Sequence, residues 1–96
     1  MNDFNRKELE DLAGLFKVFG DPTRLKIMLV LSDGEHSVNG IAEKLSMTQS
    51  AISHQLKTLK TNRLIKNRRD GQTIYYSLDD DHVYNIVSQG LDHIRE

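Results

Sequence analysis

The sequence predicts a mainly α-helical domain with a β-hairpin wing, a winged helix-turn-helix with the element order α-α-α-α-β-β-α. Two observations indicate this fold. Helical patterns over residues 37–45 and 48–62 are joined by Ser46-Met47-Thr48, which is the arrangement of a helix-turn-helix. An alternating apolar pattern follows around Asp70-Gly71 and predicts the wing. A length of 96 residues suits one domain, so residues 1–96 are predicted to form a single unit.

The first two helices are predicted to meet at a proline-containing junction. Apolar residues recur at helical spacing from about Asp3 to Phe19, and Gly20 is expected to end this first helix. Asp21 and Pro22 suit the N-cap and the first turn of a second helix, which is expected to end at Asp33-Gly34. Because the second helix is apolar on most sides, it is predicted to lie at the centre of the core.

The helix-turn-helix begins at Ser37, which is expected to cap a third helix ending at Leu45. His36, just before it, is expected to be exposed in a polar loop. Thr48 suits the N-cap of a fourth helix, the one that enters the major groove in this fold. Apolar residues at positions i, i+4 and i+7 predict the buried stripe of this helix. The stripe consists of Ile52, Leu56 and Leu59.

The wing and a last helix complete the predicted fold. Strands are predicted over Leu64 to Arg69 and Gln72 to Leu78, joined by a two-residue type I′ turn at Asp70-Gly71. One face of the second strand is expected to carry Ile74, Tyr76 and Leu78. The final helix is predicted over Asp79 to Glu96, where apolar residues again recur at helical spacing.

Composition excludes several classes of protein. The chain has no cysteine, so disulfides, thiol redox chemistry and thiolate metal sites are absent. No apolar run approaches the roughly 20 residues of a membrane span, and the first residues contain no apolar segment typical of a secretory signal. We therefore expect a cytoplasmic protein without a membrane partner.

Charge is strongly segregated along the chain. Between Lys44 and Arg69 there are seven basic residues and no Asp or Glu; the whole chain has a net charge of −1, so the remainder carries −8. This basic block consists of Lys44, Lys57, Lys60, Arg63, Lys66, Arg68 and Arg69. Such a block predicts contact with a polyanion. Because it covers the helix-turn-helix and the wing, and because no RNP-like aromatic pattern is present, the predicted polyanion is DNA rather than RNA.

The predicted DNA contacts fall into three groups. The outward positions of the fourth helix are Gln49, Ser50, Ser53, His54 and Lys57. Gln can bind an adenine edge through two hydrogen bonds and Ser can pair with either a donor or an acceptor, so this group predicts base readout. Phosphate contacts, which add affinity without reading sequence, are expected from Lys44, Lys57 and Lys60. Wing contacts at the hairpin tip are predicted for Arg68, Arg69 and Gln72.

The last helix carries a candidate metal site with the pattern D-x-H-x₁₀-H-x₂-E. Its first pair is Asp80 and His82, and its second pair is His93 and Glu96. The two histidines share a face but lie roughly 16 Å apart along the helix, whereas zinc–nitrogen bonds are about 2 Å. Two antiparallel copies of the helix can combine the first pair of one chain with the second pair of the other, at two identical sites. Acidic residues at a helix start are also favoured by the macrodipole, so a role without metal stays open.

Four segments together resemble the ArsR/SmtB family of bacterial metal-responsive repressors over nearly the full chain. They are GDPTRLKIMLVL, SMTQSAISHQLKTLKTNRLI, DGQTIYYSL and the terminal D-x-H-x₁₀-H-x₂-E pattern. The chain is most similar to the zinc-sensing branch, whose ligands lie on the last helix at the dimer interface. Other branches place a Cys-x-Cys pair on the third helix, where this chain reads Ser37-Val38-Asn39-Gly40. The resemblance implies Zn²⁺, with Co²⁺ or Ni²⁺ as alternatives, and a metal-free dimer that binds its operator and is released by the metal.

Both terminal helices are expected to mediate dimerisation. They carry apolar residues that a core of four helices and a wing does not use up. These residues are Leu9, Leu12 and Phe16 of the first helix and Val83, Ile86, Val87, Leu91 and Ile94 of the last. We expect them to be buried against the partner chain, with Gly90 allowing close approach, and we expect the metal-free protein to be a dimer.

The combined prediction is a homodimeric, zinc-responsive transcriptional repressor that binds an imperfect inverted repeat and no small organic substrate. The resemblance implies that the His93 ring donates a hydrogen bond to a backbone carbonyl near Arg63 and thereby couples metal to DNA. An alternative is a repressor of the same fold that responds to cobalt, to nickel or to no metal. A metallohydrolase is not supported, because the chain lacks an H-E-x-x-H helix and a nucleophile–base pair. No enzymatic activity is expected.

Overall fold

Five helices and a three-stranded antiparallel sheet make up residues 3–96, the part of the chain that the computed structural model describes. The elements are α1 (Arg6–Phe19), α2 (Pro22–Leu31), β1 (His36–Ser37), α3 (Val38–Leu45), α4 (Gln49–Thr61), β2 (Ile65–Asp70), β3 (Thr73–Leu78) and α5 (Asp81–Arg95). The predicted winged helix-turn-helix is confirmed, with one strand more than expected. Met1 and Asn2 of the predicted domain lie outside the described residues. Within that range, no helix is long and apolar enough to cross a membrane.

Side-chain caps set most of the helix boundaries where the sequence predicts them. Asp21, Ser37 and Thr48 each accept a hydrogen bond from the backbone N–H three residues further on, at the starts of α2, α3 and α4. Helix α1 begins at Arg6 rather than at Asp3, because Asn5 and Glu8 form a reciprocal capping box. Helix α5 likewise begins at Asp81 rather than at Asp79, because Asp80 is its N-cap.

The core lies around α2, which packs against α1, α3, α4, α5 and β3, as its apolar sequence predicts. Ile27 and Met28 of α2 are completely buried. The predicted stripe of α4 is confirmed and is buried in the same core. That stripe consists of Ile52, Leu56 and Leu59. Helix α4 is therefore fixed along one side, which leaves its opposite side free for solvent.

The prediction that His36 is exposed in a polar loop is wrong. His36 and Ser37 form strand β1 and pair with Tyr76 and Tyr75 of β3. The His36 side chain is only 17% exposed, and its Nε2 lies 2.7 Å from Asp33 Oδ1. This hydrogen bond lowers the pKa of the Asp33 carboxyl. A two-residue strand is too short to produce a sequence pattern, and its partner strand is far away in the chain.

The hairpin turn lies one residue later than predicted. Asp70 pairs with Thr73, so the two central residues are Gly71 and Gln72 rather than Asp70 and Gly71. Gly71 has a φ of 64°, and among the described non-glycine residues only Ser46 and Arg63 have positive φ. A type I′ turn needs positive φ at both central residues. The predicted type I′ turn is therefore wrong.

Candidate nucleic-acid interface and metal centre

The turn between α3 and α4 is held by backbone hydrogen bonds that cannot be predicted from the residue types. Ser46 has a left-handed conformation with a φ of 54°, and its N–H donates to the carbonyls of Ala42 and Glu43. The N–H of Met47 also donates to the carbonyl of Ala42, at 2.9 Å. These bonds end α3 and redirect the chain to Thr48, the cap of α4. Helix α4 thus has a fixed direction relative to α3.

The exposed side of α4 carries the residues that the sequence predicts as DNA contacts. All six are exposed, and none of them belongs to the buried stripe. They are Gln49, Ser50, Ser53, His54, Lys57 and Lys60. Helix α4 has no acidic residue along its length, so this side presents donors and positive charge. Lys44, at the end of α3, is exposed as well.

Arg24 is a residue near this surface that sequence reasoning missed. Its Nε donates to Gln55 Oε1 at 3.2 Å, and both side chains are half-buried. The bond joins the first turn of α2 to the middle of α4. Arg24 therefore positions the helix that carries the predicted base-reading residues. The available sequence signal was a basic residue in the first turn of a largely apolar helix, which also contains Lys26.

The structure does not place Arg68 at the hairpin tip. Arg68 pairs with Tyr75, two positions before the end of β2. Its guanidinium forms a bidentate ion pair with Glu35, with Nε–Oε2 at 2.6 Å and Nη2–Oε1 at 2.9 Å, and lies 5.1 Å from the centroid of the Tyr75 ring. The guanidinium lowers the pKa of the Glu35 carboxyl, and Glu35 in turn raises the pKa of Arg68.

Arg69 and Gln72 lie at the tip as predicted. Arg69 pairs with Ile74, the second residue of β3, and Gln72 is a central residue of the turn. Both are exposed. Within residues 3–96, Arg69 takes part in no ion pair. Of the two wing arginines, Arg69 is therefore the one whose charge is not neutralised.

The first pair of the candidate metal site is brought together by the cap of α5. Asp80 has an extended backbone, with φ −159° and ψ −179°, and its Oδ1 accepts the N–H of Val83 at 3.1 Å. Its Oδ2 lies 3.3 Å from His82 Nδ1. The hydrogen bond from Val83 lowers the pKa of the Asp80 carboxyl, and His82 adds to this shift. Residues two positions apart in a regular helix point to different sides. Because Asp80 is the N-cap and not part of the helix, its carboxylate can nevertheless lie beside His82.

The distance between these two atoms fits a shared tetrahedral zinc ion. Ligand atoms about 2.0 Å from such an ion lie about 3.3 Å apart, and the His82 side chain is 90% exposed and accessible. The second pair, His93 and Glu96, is also exposed but lies at the other end of α5. In the described part of a single chain, no three His, Asp or Glu side chains come together to hold a metal.

Apolar side chains remain exposed on α1 and at the end of α5. Leu12 and Phe16 are 50% and 56% exposed, and Ile94 is 79% exposed. The expectation that the whole α5 stripe faces a partner is wrong, because Val83 and Val87 are buried in the protomer's own core. What the protomer leaves open is an apolar groove between α2 and the last turns of α5. It is lined by Phe19, Leu25, Leu29, Gly90, Leu91 and Ile94.

Comparison with known proteins assigns the family. A family model described as bacterial regulatory protein, arsR family, matches residues 21–67, from the cap of α2 into β2. A transcriptional repressor SmtB homolog of Synechocystis is 39% identical over 89 residues, which are 93% of this chain and 67% of that protein. This chain belongs to the arsR family of bacterial regulatory proteins. Like these relatives, the chain is a DNA-binding transcriptional repressor and not an enzyme.

Two further arsR-family comparisons bear on metal and assembly. A cadmium resistance transcriptional regulatory protein CadC homolog of Staphylococcus aureus is 39% identical over 95 residues, covering 98% of this chain and 78% of that protein. The homodimeric winged helix-turn-helix DNA-binding domain Mb0332 of Mycobacterium bovis superimposes with a TM-score of 0.87 at 28% identity. The superposition covers 100% of this chain and 91% of the other. The fold predicted from the sequence is therefore shared with a homodimeric DNA-binding domain that is described as a possible ArsR-family regulator.

Proposed function

We propose that this protein is a cytoplasmic, homodimeric repressor that binds its operator without metal and releases it when zinc binds between the two protomers. The observation that carries the zinc assignment is the pair Asp80 and His82, whose ligand atoms lie 3.3 Å apart at the cap of α5. The matching pair, His93 and Glu96, lies on the same helix at a distance that one chain cannot span.

DNA binding is proposed to use the exposed side of α4 together with the wing tip. Gln49, Ser50 and Ser53 lie in the N-terminal half of α4, which is the part that reads base edges in a helix-turn-helix. His54 belongs to the same side, and the exposed lysines and Arg69 with Gln72 supply backbone contacts. A two-fold symmetric dimer requires an imperfect inverted repeat with half-site centres about one helical turn apart.

Lys57→Ala should weaken binding to every DNA sequence by a similar factor. Lys57 is exposed on α4, and a phosphate contact carries no sequence information. In a dimer, loss of one such contact per protomer should reduce the slope of log K against log salt by about 2. Binding titrations at several salt concentrations, on specific and random duplexes, measure this. An effect confined to one DNA sequence would contradict the phosphate assignment.

Gln49→Ala should instead relax the choice of base at one position of each half-site. A good bidentate contact between Gln and adenine contributes about 1–3 kcal/mol of discrimination. Selection of bound sequences from a random pool, for the wild type and the variant, measures the preference directly. Unchanged base preference in Gln49→Ala would show that the groove-facing side of α4 is assigned wrongly.

The chemistry of the two pairs suits zinc. Two imidazoles and two carboxylates are ligands that Zn²⁺ accepts in four-coordinate sites, and the chain offers no thiolate. When bound, the metal would cross-link Asp80 and His82 of one protomer to the second pair of the partner subunit. Imidazole also suits Co²⁺ and Ni²⁺, and the CadC homolog named above is a cadmium resistance regulator, so these metals are the alternatives to test.

Dimerisation is proposed to bury the apolar residues that the protomer leaves exposed. Leu9, Leu12 and Phe16 of α1 are 52%, 50% and 56% exposed in one protomer, and the groove that ends at Ile94 is open. A second copy covers both surfaces through one two-fold axis. The same axis would set two α5 helices antiparallel, as the metal site requires.

Coupling between metal and DNA is proposed to run through His93. A metal-ligating His commonly donates its second ring N–H to a nearby acceptor. We propose a backbone carbonyl near Arg63 as this acceptor. Arg63 directly follows Asn62, the C-cap of α4, with a φ of 60° and its N–H bonded to the carbonyl of Lys60. A hydrogen bond at this point would connect the metal-bound α5 to the DNA-reading helix.

A repressor that responds to no metal is the second candidate function. It is favoured by the contacts of Asp80, which caps α5 and bonds His82 without any ion. A cobalt-binding spectrum, recorded with and without operator DNA, separates the two. Stoichiometric tetrahedral cobalt that binds more weakly in the presence of DNA supports the metal-responsive repressor. No cobalt or zinc binding by the dimer supports the second candidate.

A further inference from the structure

One member of the basic block is neutralised by an acidic residue from outside it. Within residues 3–96, Arg68 is the single ion-paired residue among the seven. Its partner Glu35 lies in the turn between α2 and β1, 33 positions earlier in the chain. Two neighbouring donors of the guanidinium, Nε and Nη2, bond the two carboxylate oxygens of Glu35 at 2.6 and 2.9 Å. The basic surface therefore presents one charge fewer per protomer than its sequence contains.

The surroundings hold this ion pair in one place. Strand β1 follows Glu35 directly and pairs with β3, where Ser37 lies opposite Tyr75. Tyr75 in turn pairs with Arg68 on β2, and its ring lies under the guanidinium. The carboxylate and the aromatic ring thus fix the arginine from two sides. The Arg68 side chain nevertheless stays 54% exposed, so a second anion can reach it.

We propose that Glu35 competes with DNA phosphate for Arg68 and thereby lowers the affinity of this repressor for DNA. Carboxylate and phosphate both bind a guanidinium through two neighbouring donors, so the Nε–Nη2 edge of Arg68 can hold Glu35 or a DNA phosphate but not both at once. Side chains alternate between the two faces of β2, so Arg69 lies on the same face as Ile65 and Arg68 lies on the other face. Glu35 binds Arg68, and Arg69 has no acidic partner within residues 3–96. Glu35 is thus an affinity-setting residue of the wing. The inference rests on the DNA contact by the wing proposed above.

The direct test is Glu35→Gln, which keeps the shape of the side chain and removes its charge. The probe is a random-sequence DNA duplex, titrated with the metal-free protein between about 50 and 200 mM salt. Release of Arg68 in both protomers of a dimer should add about two phosphate contacts and steepen the log–log salt slope by about 2. The ratio of affinities at the two salt concentrations should then be about tenfold larger than in the wild type.

Two matched variants separate this mechanism from a general change of charge. Glu43→Gln removes one exposed carboxylate on α3 that has no ion pair in the described part of the chain. It should leave the salt slope near that of the wild type. In an Arg68→Ala background, Glu35→Gln should no longer change the slope. An equal effect of Glu35→Gln with and without Arg68, or an equal effect of Glu43→Gln, would overturn the proposal.

Arg68→Ala by itself keeps the proposal testable if Glu35→Gln does not fold. Because Glu35 holds Arg68 in the wild type, Arg68→Ala should reduce the log–log salt slope by clearly less than the roughly 2 expected for Lys57→Ala. A reduction of the slope in Arg68→Ala as large as that in Lys57→Ala would show that Glu35 does not compete. If neither Arg68→Ala nor Lys57→Ala changed DNA binding, the proposed DNA-binding surface would be wrong. That outcome refutes the proposed function, and it is distinct from a failure of the competition by Glu35 alone.

Discussion

Leu12→Glu should convert the metal-free protein from a dimer into a monomer at micromolar concentration and abolish tight operator binding. Leu12 is half exposed on α1, beside other apolar residues of the proposed interface. A charge there would have to be buried against a second apolar surface without a partner, which is costly. Because two linked recognition helices bind far more tightly than one, operator affinity should fall by about a hundredfold or more. Analytical ultracentrifugation and operator titration measure the two effects.

Gly14→Glu is the matched control for this prediction. It introduces the same side chain into the same helix, two residues away and therefore on the other side. A Cβ at Gly14 would meet no atom within 4 Å, and a non-glycine residue favours the helix. The control should stay dimeric. A wild-type protein that is already monomeric without metal, or a Leu12→Glu variant that remains a dimer, would refute the proposed interface.

His93→Gln should separate metal binding from the release of DNA. Saturating zinc is expected to weaken operator binding of the wild type by about 5- to 150-fold, the usual range of allosteric coupling. Gln can act as a weaker oxygen ligand but lacks the second ring N–H that is proposed to reach a carbonyl near Arg63. We therefore expect reduced zinc affinity and, at saturating zinc, a change in operator affinity of less than about twofold. Fluorescence anisotropy of labelled operator measures the operator affinity, and a zinc or cobalt titration of the free protein measures the metal affinity.

Companion variants distinguish the metal site from the coupling route. His82→Ala removes a direct ligand and should lower zinc affinity by about a hundredfold or more, since loss of an outer-shell partner alone costs 10–100-fold. Asp92→Asn alters an exposed carboxylate of α5 outside the proposed ligand set and should respond to zinc like the wild type. Full release of His93→Gln from DNA at saturating zinc would refute the His93 route, even if His82→Ala confirmed the site.

Linkage adds a check that needs no variant. If zinc lowers operator affinity by some factor, operator DNA must lower zinc affinity by the same factor. Zinc titrations of the free and the DNA-bound dimer give the second factor independently. Unequal factors would show that protein was lost or aggregated in one of the experiments, or that more than the two proposed metal sites take part.

Local chemistry is what the sequence predicts best in this protein. Asp21, Ser37 and Thr48 act as caps because a short polar side chain can reach its own backbone three residues on, whatever the rest of the fold does. The stripe of Ile52, Leu56 and Leu59 follows from helical geometry in the same way. Such features involve neighbours in the chain, so residue type and spacing are sufficient to identify them.

Two of the errors arose where distant segments meet. Strand β1 forms because His36 and Ser37 find partners in β3 about 40 positions later, and two residues cannot show alternation. Val83 and Val87 belong to the protomer's own core although their helical stripe also suits a dimer interface. A periodic apolar pattern predicts that one face of a helix is buried, but it does not indicate whether that face packs against the same chain or against a partner chain.

The sequence by itself determined the winged helix-turn-helix, the basic block and the two pairs of candidate ligands, because periodicity, charge and spacing are properties of the chain. Only the tertiary structure decided that Asp80 Oδ2 and His82 Nδ1 lie 3.3 Å apart, since that distance depends on the extended backbone of a cap. It also decided that Arg68 is bound to Glu35. Charge along a sequence does not reveal ion pairing, because pairing depends on which side chains folding brings within a few ångströms of each other.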